Sequence, residues 1–284
     1  MSRLVKIVCV MLVLSVLLVG CGQQPATDTK IDYEISVIAP DGQPLENIKV
    51  FVYEDQTLSE MVCVDTTDAG GLVAFTETRS EDFVAVLKDV PVGYTFDQSY
   101  TLEAGKTVIC LDRRPLTKEE MLNTHYGLGD QLPDIEVTDC TGATYSIYQL
   151  LESRKAVVLN FWFIGCLPCQ MEFPYLQEAY EDYADQVAFF ALNPIDGTDA
   201  TVLAYQQEQQ LTIPMANCDD SWQFMLDLTS YPTTLVLDRD GYIVLRHTGM
   251  FTESSLLKNA LAYFSQDNYE RTIFGAIEEI PVMG

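Results

Sequence analysis

Beyond residue 30 the chain first alternates between apolar and polar positions. Ile31, Tyr33, Ile35 and Val37 interleave with Asp32, Glu34 and Ser36, as expected of a strand with one buried face. Residues 48–53 and 60–64 read as further strands. Asp41-Gly42 and Asp68-Ala69-Gly70-Gly71 mark turns, and residues 72–76, 83–87, 101–102 and 107–111 complete the series. Short strands with regular turn signals predict an all-β sandwich over residues 31–112. Residues 113–126 are charged and read as helical or linking. From residue 127 the pattern changes. Residues 157–163 form an apolar run, as a strand buried on both faces requires. Residues 170–184 read as a helix, 187–192 as a second buried strand and 198–210 as another helix. Residues 233–237 and 242–245 form a hairpin around Asp238-Arg239-Asp240-Gly241, and 253–264 a closing amphipathic helix. Strands alternating with helices predict an α/β sheet covered on both sides, over residues 127–265. Residues 266–284 remain a tail without an assigned role.

The N-terminus carries a different pattern. Arg3 and Lys6 precede an apolar run over 7–19 that is broken only by Ser15. A bilayer span needs about 20 apolar residues, so the run fits a signal-peptide core instead. It ends in Leu18-Val19-Gly20-Cys21, which resembles the lipobox of bacterial lipoproteins. That resemblance implies removal of residues 1–20 and lipidation of Cys21. Residues 21–30 become a polar tether, and the folded part lies outside the cytoplasm, anchored to the bacterial membrane through lipid.

Composition narrows the functional classes. The 284 residues are 48% apolar and carry a formal net charge of −26, which excludes a disordered chain and argues against nucleic acid as a partner. The same charge opposes docking on anionic lipid through surface residues. With two His in the chain, a His-rich metal site is not expected.

The candidate chemistry lies in Cys166-Leu167-Pro168-Cys169, where the buried strand turns into a helix. A thiol at a helix N-terminus meets unpaired backbone N–H groups and the positive end of the helix dipole, and both favour the reactive thiolate. Cys166 is expected to be the more exposed and to attack; Cys169, one turn inside, resolves the mixed disulfide. Pro168 stiffens a position where proline is tolerated. Zinc would need two further ligands, and the chain has neither a second Cys-x-x-Cys nor a His pair. A peroxidatic cysteine would follow a Pro and a Thr or Ser that are missing upstream of Cys166. A redox dithiol with no bound cofactor is the reading that remains.

Residues 127–265 resemble the thioredoxin-fold proteins of the TlpA/ResA type, the membrane-tethered thiol–disulfide oxidoreductases of bacteria. The resemblance rests on Gly129-Asp130 and Pro133-Asp134 in the first strand, Asn160-Phe161-Trp162 before the cysteines and Glu172-Phe173-Pro174 after them. Tyr231-Pro232-Thr233-Thr234 matches the cis-proline loop, and Gly241 and Gly249 match the terminal hairpin. It implies an α/β thioredoxin fold and exchange with protein disulfides, with reduction the expected direction. It implies Trp162, Tyr231 and Pro232 as substrate-binding residues and a CcdA/DsbD-like membrane thiol donor as partner. Thioredoxins proper have a buried Asp where this chain has Asn160, a side chain that cannot move a proton. The resemblance offers Glu172 instead, beside Cys169 on the adjacent turn, as the group that tunes or relays the Cys169 proton. Gly165 stands where many relatives have Trp.

The β region resembles prealbumin-like and Cna-B-type domains in residues 67–75 and in Val90-Pro91-Val92-Gly93-Tyr94. That implies a spacer or docking module. Lys49 matches the lysine of a Cna-B isopeptide bond, but residues 100–111 contain no Asn, so the crosslink is not carried over. Cys63 with Cys110 and Cys140 with Cys218 are the simplest within-domain disulfides, against free buried thiols as the alternative. Two rival functions remain. One is a surface adhesion or scaffold lipoprotein working through the β domain. The other is a copper chaperone using His247 with the two cysteines.

Overall fold

The computed structural model describes residues 30–79 and 82–281. The expected signal peptide, Cys21 and all but the last residue of the tether lie outside the described residues.

The N-terminal domain comprises β1 (Ile31–Ile38), β2 (Lys49–Tyr53), β3 (Met61–Thr66), β4 (Leu72–Glu77), β5 (Val84–Lys88), β6 (Tyr94–Thr95), β7 (Tyr100–Thr101), β8 (Gly105–Cys110) and β9 (Asp112–Arg113). One sheet has the order β4-β1-β8, another β3-β2-β5-β7, and β6 pairs with β9 in a third. The alternation of β1 turns Tyr33, Ile35 and Val37 inward, where they meet Val50, Val52, Phe83 and Leu87 in one core. Burying each such side chain stabilises the domain by roughly 1.5–3 kcal/mol.

Residues 113–126 are both structured and linking. They hold α1 (Lys118–Asn123), capped by Thr117 and Glu120 in a reciprocal capping box. Arg114 grips the Glu120 carboxylate with both terminal nitrogens, at 2.8 and 2.6 Å.

The C-terminal domain follows: β10 (Glu136–Thr138), β11 (Thr144–Ser146), α2 (Ile147–Leu151), β12 (Ala156–Phe161), α3 (Leu167–Tyr183), β13 (Val187–Asn193), α4 (Asp199–Glu208), β14 (Met215–Asn217), α5 (Ser221–Met225), β15 (Thr233–Asp238), β16 (Ile243–Thr248) and α6 (Ser254–Phe264). Its main sheet has the order β14-β13-β12-β15-β16. Central β12 runs parallel to β13 and antiparallel to β15, and all six of its residues are buried. α3 and α6 share the core on one face; α1, α2 and α5 cover the other. This is the thioredoxin fold. β16 runs to Thr248, past the expected end at 245, because Arg246, His247 and Thr248 continue the ladder against β15 despite their polarity.

The two domains meet through Arg113, whose guanidinium bonds Asp41 at 2.8 Å and lies 4.1 Å from the Tyr148 ring centroid, a cation–π contact. The Tyr242 hydroxyl donates to Gln43 nearby. Tyr148 also reaches the Asp240 carbonyl, so the junction gathers at the turn joining β15 and β16. Gly241, at φ 82°, makes this approach possible: a Cβ there would stand 2.5 Å from the Tyr148 hydroxyl. In the β12–β15 ladder Asp238 faces Ala156, whereas Thr233 faces Phe161. The β domain therefore docks at the end where β12 begins, roughly 20 Å along the strand from where it ends.

The tail beyond α6 folds back. Phe274 forms a parallel bridge to Leu245, and with Ile277 and Ile280 it joins the core. Arg271 bonds the wholly buried Asp238 at 2.6 Å and also grips Asp240. Arg271→Ala leaves Asp238 without its counter-charge and is expected to cost about 2 kcal/mol, read by urea denaturation. An Asp238→Asn change in the same background is expected to recover part of the loss.

Of the two alternatives for the remaining cysteines, the free thiols hold: Cys63, Cys110, Cys140 and Cys218 have no disulfide partner among the described residues. Cys63 lies on β3 and Cys110 on β8, in different sheets. Cys140 packs against the α3/α6 core and Cys218 against the opposite one.

Candidate active site

β12 delivers the chain at Phe161 to a short turn, and Cys166 caps α3 in extended geometry. The helix starts three residues earlier than the apolar pattern indicates because Pro168 sits in its first turn, where no N–H is needed. The Cys169 N–H donates to the Cys166 sulfur at 3.2 Å, so sulfur occupies the place of a capping oxygen. The two cysteines form a disulfide with Cα atoms 5.3 Å apart. Cys166 is 4% exposed and Cys169 1%, which makes Cys166 the outer of two sunken sulfurs. Around them Leu167, Met171 and Ile195 are exposed apolar side chains.

Helical phase decides the place of Glu172. The buried residues of α3 are Cys169, Glu172, Phe173, Leu176 and Ala179, the inward stripe of an amphipathic helix. Glu172 therefore points into the core on the same face as Cys169, and it is wholly buried. Its Oε1 accepts from Asn160 Nδ2 at 2.6 Å and its Oε2 from the Phe251 N–H at 2.9 Å. Burial raises its pKa to about 7, against the opposing pull of the Phe251 and Asn160 hydrogen bonds. Asn160 also donates to Thr234 Oγ1 at 3.0 Å, and its Oδ1 finds no partner among the described residues.

Trp162, expected to bind substrate, has no exposed surface. Its ring lies 5.1 Å from Phe173 and 5.0 Å from Tyr205. It packs in the core because its N–H still bonds the Leu192 carbonyl, carrying the β12–β13 pairing one residue past the end of β12 in the middle of the sheet. The Tyr231–Pro232 bond is cis. The Tyr231 ring stands edge-on to Phe163, 5.6 Å between centroids, which brings the proline loop against the cysteine turn. Burial, with the Cys218 thiol adding to it, pushes the Tyr231 hydroxyl up to about 12. His247 stacks on Phe251 at 4.8 Å. No three His, Cys, Asp or Glu side chains converge as metal ligands among the described residues.

Thr234, which the sequence marks only as part of the cis-proline loop, and Phe251, which no motif marks, reach Asn160 and Glu172 through the fold alone. The site thus holds a reducible disulfide, a helix amide aimed at its outer sulfur, and a carboxyl group that changes protonation near neutral pH.

The family model described as AhpC/TSA matches residues 128–246. The thioredoxin-like protein YneN of Bacillus subtilis is 31% identical over 130 residues, which are 45% of this chain and 75% of YneN. The thiol-disulfide oxidoreductase ResA of Bacillus anthracis is 32% identical over 133 residues, 45% of this chain and 74% of ResA. The chain belongs to the ResA-like thiol-disulfide oxidoreductases. The solution structure of a thiol:disulfide interchange protein from Bacteroides sp. covers 50% of the chain and 92% of its own length, with 20% identity and a TM-score of 0.42. In this ResA-like oxidoreductase the family-matched segment contains the strand, turn and helix that carry Cys166 and Cys169 and the cis proline. The β domain and Phe251, which binds Glu172, lie outside that segment.

Proposed function

We propose that this oxidoreductase is a disulfide reductase tethered outside the bacterial cytoplasm by lipid on Cys21. The observation that carries the chemical part is the Cys166–Cys169 disulfide at a helix start with Glu172 buried behind it. In the reduced enzyme the Cys166 thiolate attacks one sulfur of a protein disulfide. The substrate S–S bond breaks, its far sulfur leaves and takes a proton, and a mixed disulfide forms. Glu172 accepts the Cys169 proton, and the Cys169 sulfur displaces the substrate from Cys166. The second substrate thiol leaves, two electrons pass to the substrate, and the enzyme holds its own disulfide. Tyr231 offers backbone beside cis Pro232 to the extended substrate segment. A CcdA/DsbD-like membrane protein restores the dithiol.

The lipobox-like Leu18-Val19-Gly20-Cys21 supports the tether. The β domain, like the Cna-B-type modules it resembles, serves as a spacer. Its docking at the end of the sheet remote from the cysteines supports that role. Insulin reduction that disappears in Cys166→Ala tests the chemistry. Intact mass of the cell-derived protein tests the anchor: a diacylglyceryl-modified Cys21 is expected, and an uncleaved Met1 would contradict it.

A further inference from the structure

Ile164 lies two residues before Cys166 in the turn between β12 and α3, and both of its backbone polar groups are held by side chains. Its N–H donates to Asp196 Oδ1 at 2.8 Å, and its carbonyl accepts from Gln170 Nε2 at 2.7 Å. Asp196 comes from a distant segment, the loop after β13, and is itself fixed. Asn193 Nδ2 donates to the same Oδ1 at 3.0 Å. The buried Asn193 Oδ1 accepts from the N–H groups of Ile195 and Asp196, each at 3.1 Å. Just upstream, the Trp162 N–H bonds the Leu192 carbonyl of β13 at 3.0 Å. The end of β13 thus grips the active-site turn at two successive points.

Gly197 lets the loop come this close. Its φ is 91°, and a Cβ would stand 2.9 Å from Ile164 Cδ1 and 2.7 Å from Thr201 Oγ1, so any side chain there forces the loop away.

We propose that Asp196 is a positioning residue for the redox reaction: through the Ile164 amide it fixes the turn that places the Cys166 sulfur over the first amides of α3. Releasing that amide lets Cys166 drift from Cys169 and from the N–H it accepts. Both the attack on substrate and the closing of the internal disulfide depend on that placement, and misplacement by about 1 Å costs as much as a hundredfold in rate. The role holds whichever way electrons flow.

The test compares the wild-type protein with Asp196→Ala and Asp196→Asn. It measures kcat/KM for insulin reduction and the equilibrium of the Cys166–Cys169 pair with glutathione. Asp196→Ala is expected to lower kcat/KM about tenfold and to shift the equilibrium several-fold. Asp196→Asn keeps an oxygen for the Ile164 amide and is expected to stay within about threefold of wild type in both. Wild-type values in Asp196→Ala overturn the proposal. So does a loss in Asp196→Asn equal to that in the alanine variant, since charge rather than holding would then be responsible. If circular dichroism shows Asp196→Ala unfolded, Asp196→Glu keeps the charge but displaces the carboxylate from the Ile164 amide instead. A several-fold shift of its glutathione equilibrium supports the role, and an unchanged equilibrium overturns it.

Discussion

Glu172→Gln is expected to remove a pH dependence of stability that the wild-type protein carries. The native carboxyl has its pKa raised by burial from an ordinary value of 4.5 to about 7. Between those values the folded protein keeps a proton that the unfolded chain has lost, so Glu172 makes stability fall as pH rises through this window. The stabilising condition is fully present below about pH 4.5 and is gone above about pH 7. At about 1.4 kcal/mol per unit, the loss is on the order of 3 kcal/mol. Other carboxylates act oppositely: Asp41, Asp139 and Glu120 have lowered values and stabilise as pH rises. The informative quantity is therefore the difference between wild type and Glu172→Gln, from urea denaturation at pH 5 and pH 8. That difference is expected to move by about 2–3 kcal/mol in favour of the variant at the higher pH; parallel behaviour would mean that Glu172 is not held in an apolar site. On the proposed role of Glu172 as acceptor of the Cys169 proton, insulin reduction by the variant is also expected to slow by roughly ten- to a hundredfold.

Cys169→Ser is expected to trap substrate on the enzyme. With the resolving sulfur gone, the mixed disulfide at Cys166 has no internal partner and should accumulate with a disulfide-containing peptide. Cys166→Ala should lower exchange by on the order of 10³-fold or more, the scale of losing a nucleophile. Burial raises the thiols of Cys63, Cys140 and Cys218, which disfavours their competing for the peptide. Cys110 is exposed, so the trapping is best done in a Cys110→Ser background. Peptide mapping is expected to find the adduct on Cys166. An adduct confined to any other cysteine would contradict the assigned roles.

The parts of the fold that were readable in advance are local. The apolar run of β12, the Cys-x-x-Cys spacing, the turn at Asp238-Arg239-Asp240-Gly241 and the alternation of β1 each lie within a few residues and determine their own geometry. The parts that escaped are made by distant contacts. Asn160 could be read as a neutral replacement for an acid, but not as the donor to Glu172, because that pair forms only when α3 packs on β12. The Phe251 amide reaches Glu172 across 79 residues, and Asp196 reaches the Ile164 amide across 32. Trp162 looked like a substrate contact by resemblance; one further residue of buried backbone puts it in the core. Of the two readings of Cys63, Cys110, Cys140 and Cys218, paired or free, the free one holds, for a related reason. Domain membership places two thiols in one body, but only the finished sheets decide which face each one occupies. The apolar tail had no readable partner because its partner is the edge of β16 and the core beside it.

The most direct test of the central claim, a two-electron couple at Cys166 and Cys169, is a redox titration of the purified protein in thiol–disulfide buffers. Emission of Trp162, which shares a core with the pair, read in a Trp222→Phe background, and site-resolved alkylation serve as parallel readouts. The expected result is one two-electron transition that belongs to Cys166 and Cys169 and vanishes in Cys166→Ala. A transition that persists in Cys166→Ala, or no transition in the wild-type protein, would contradict it.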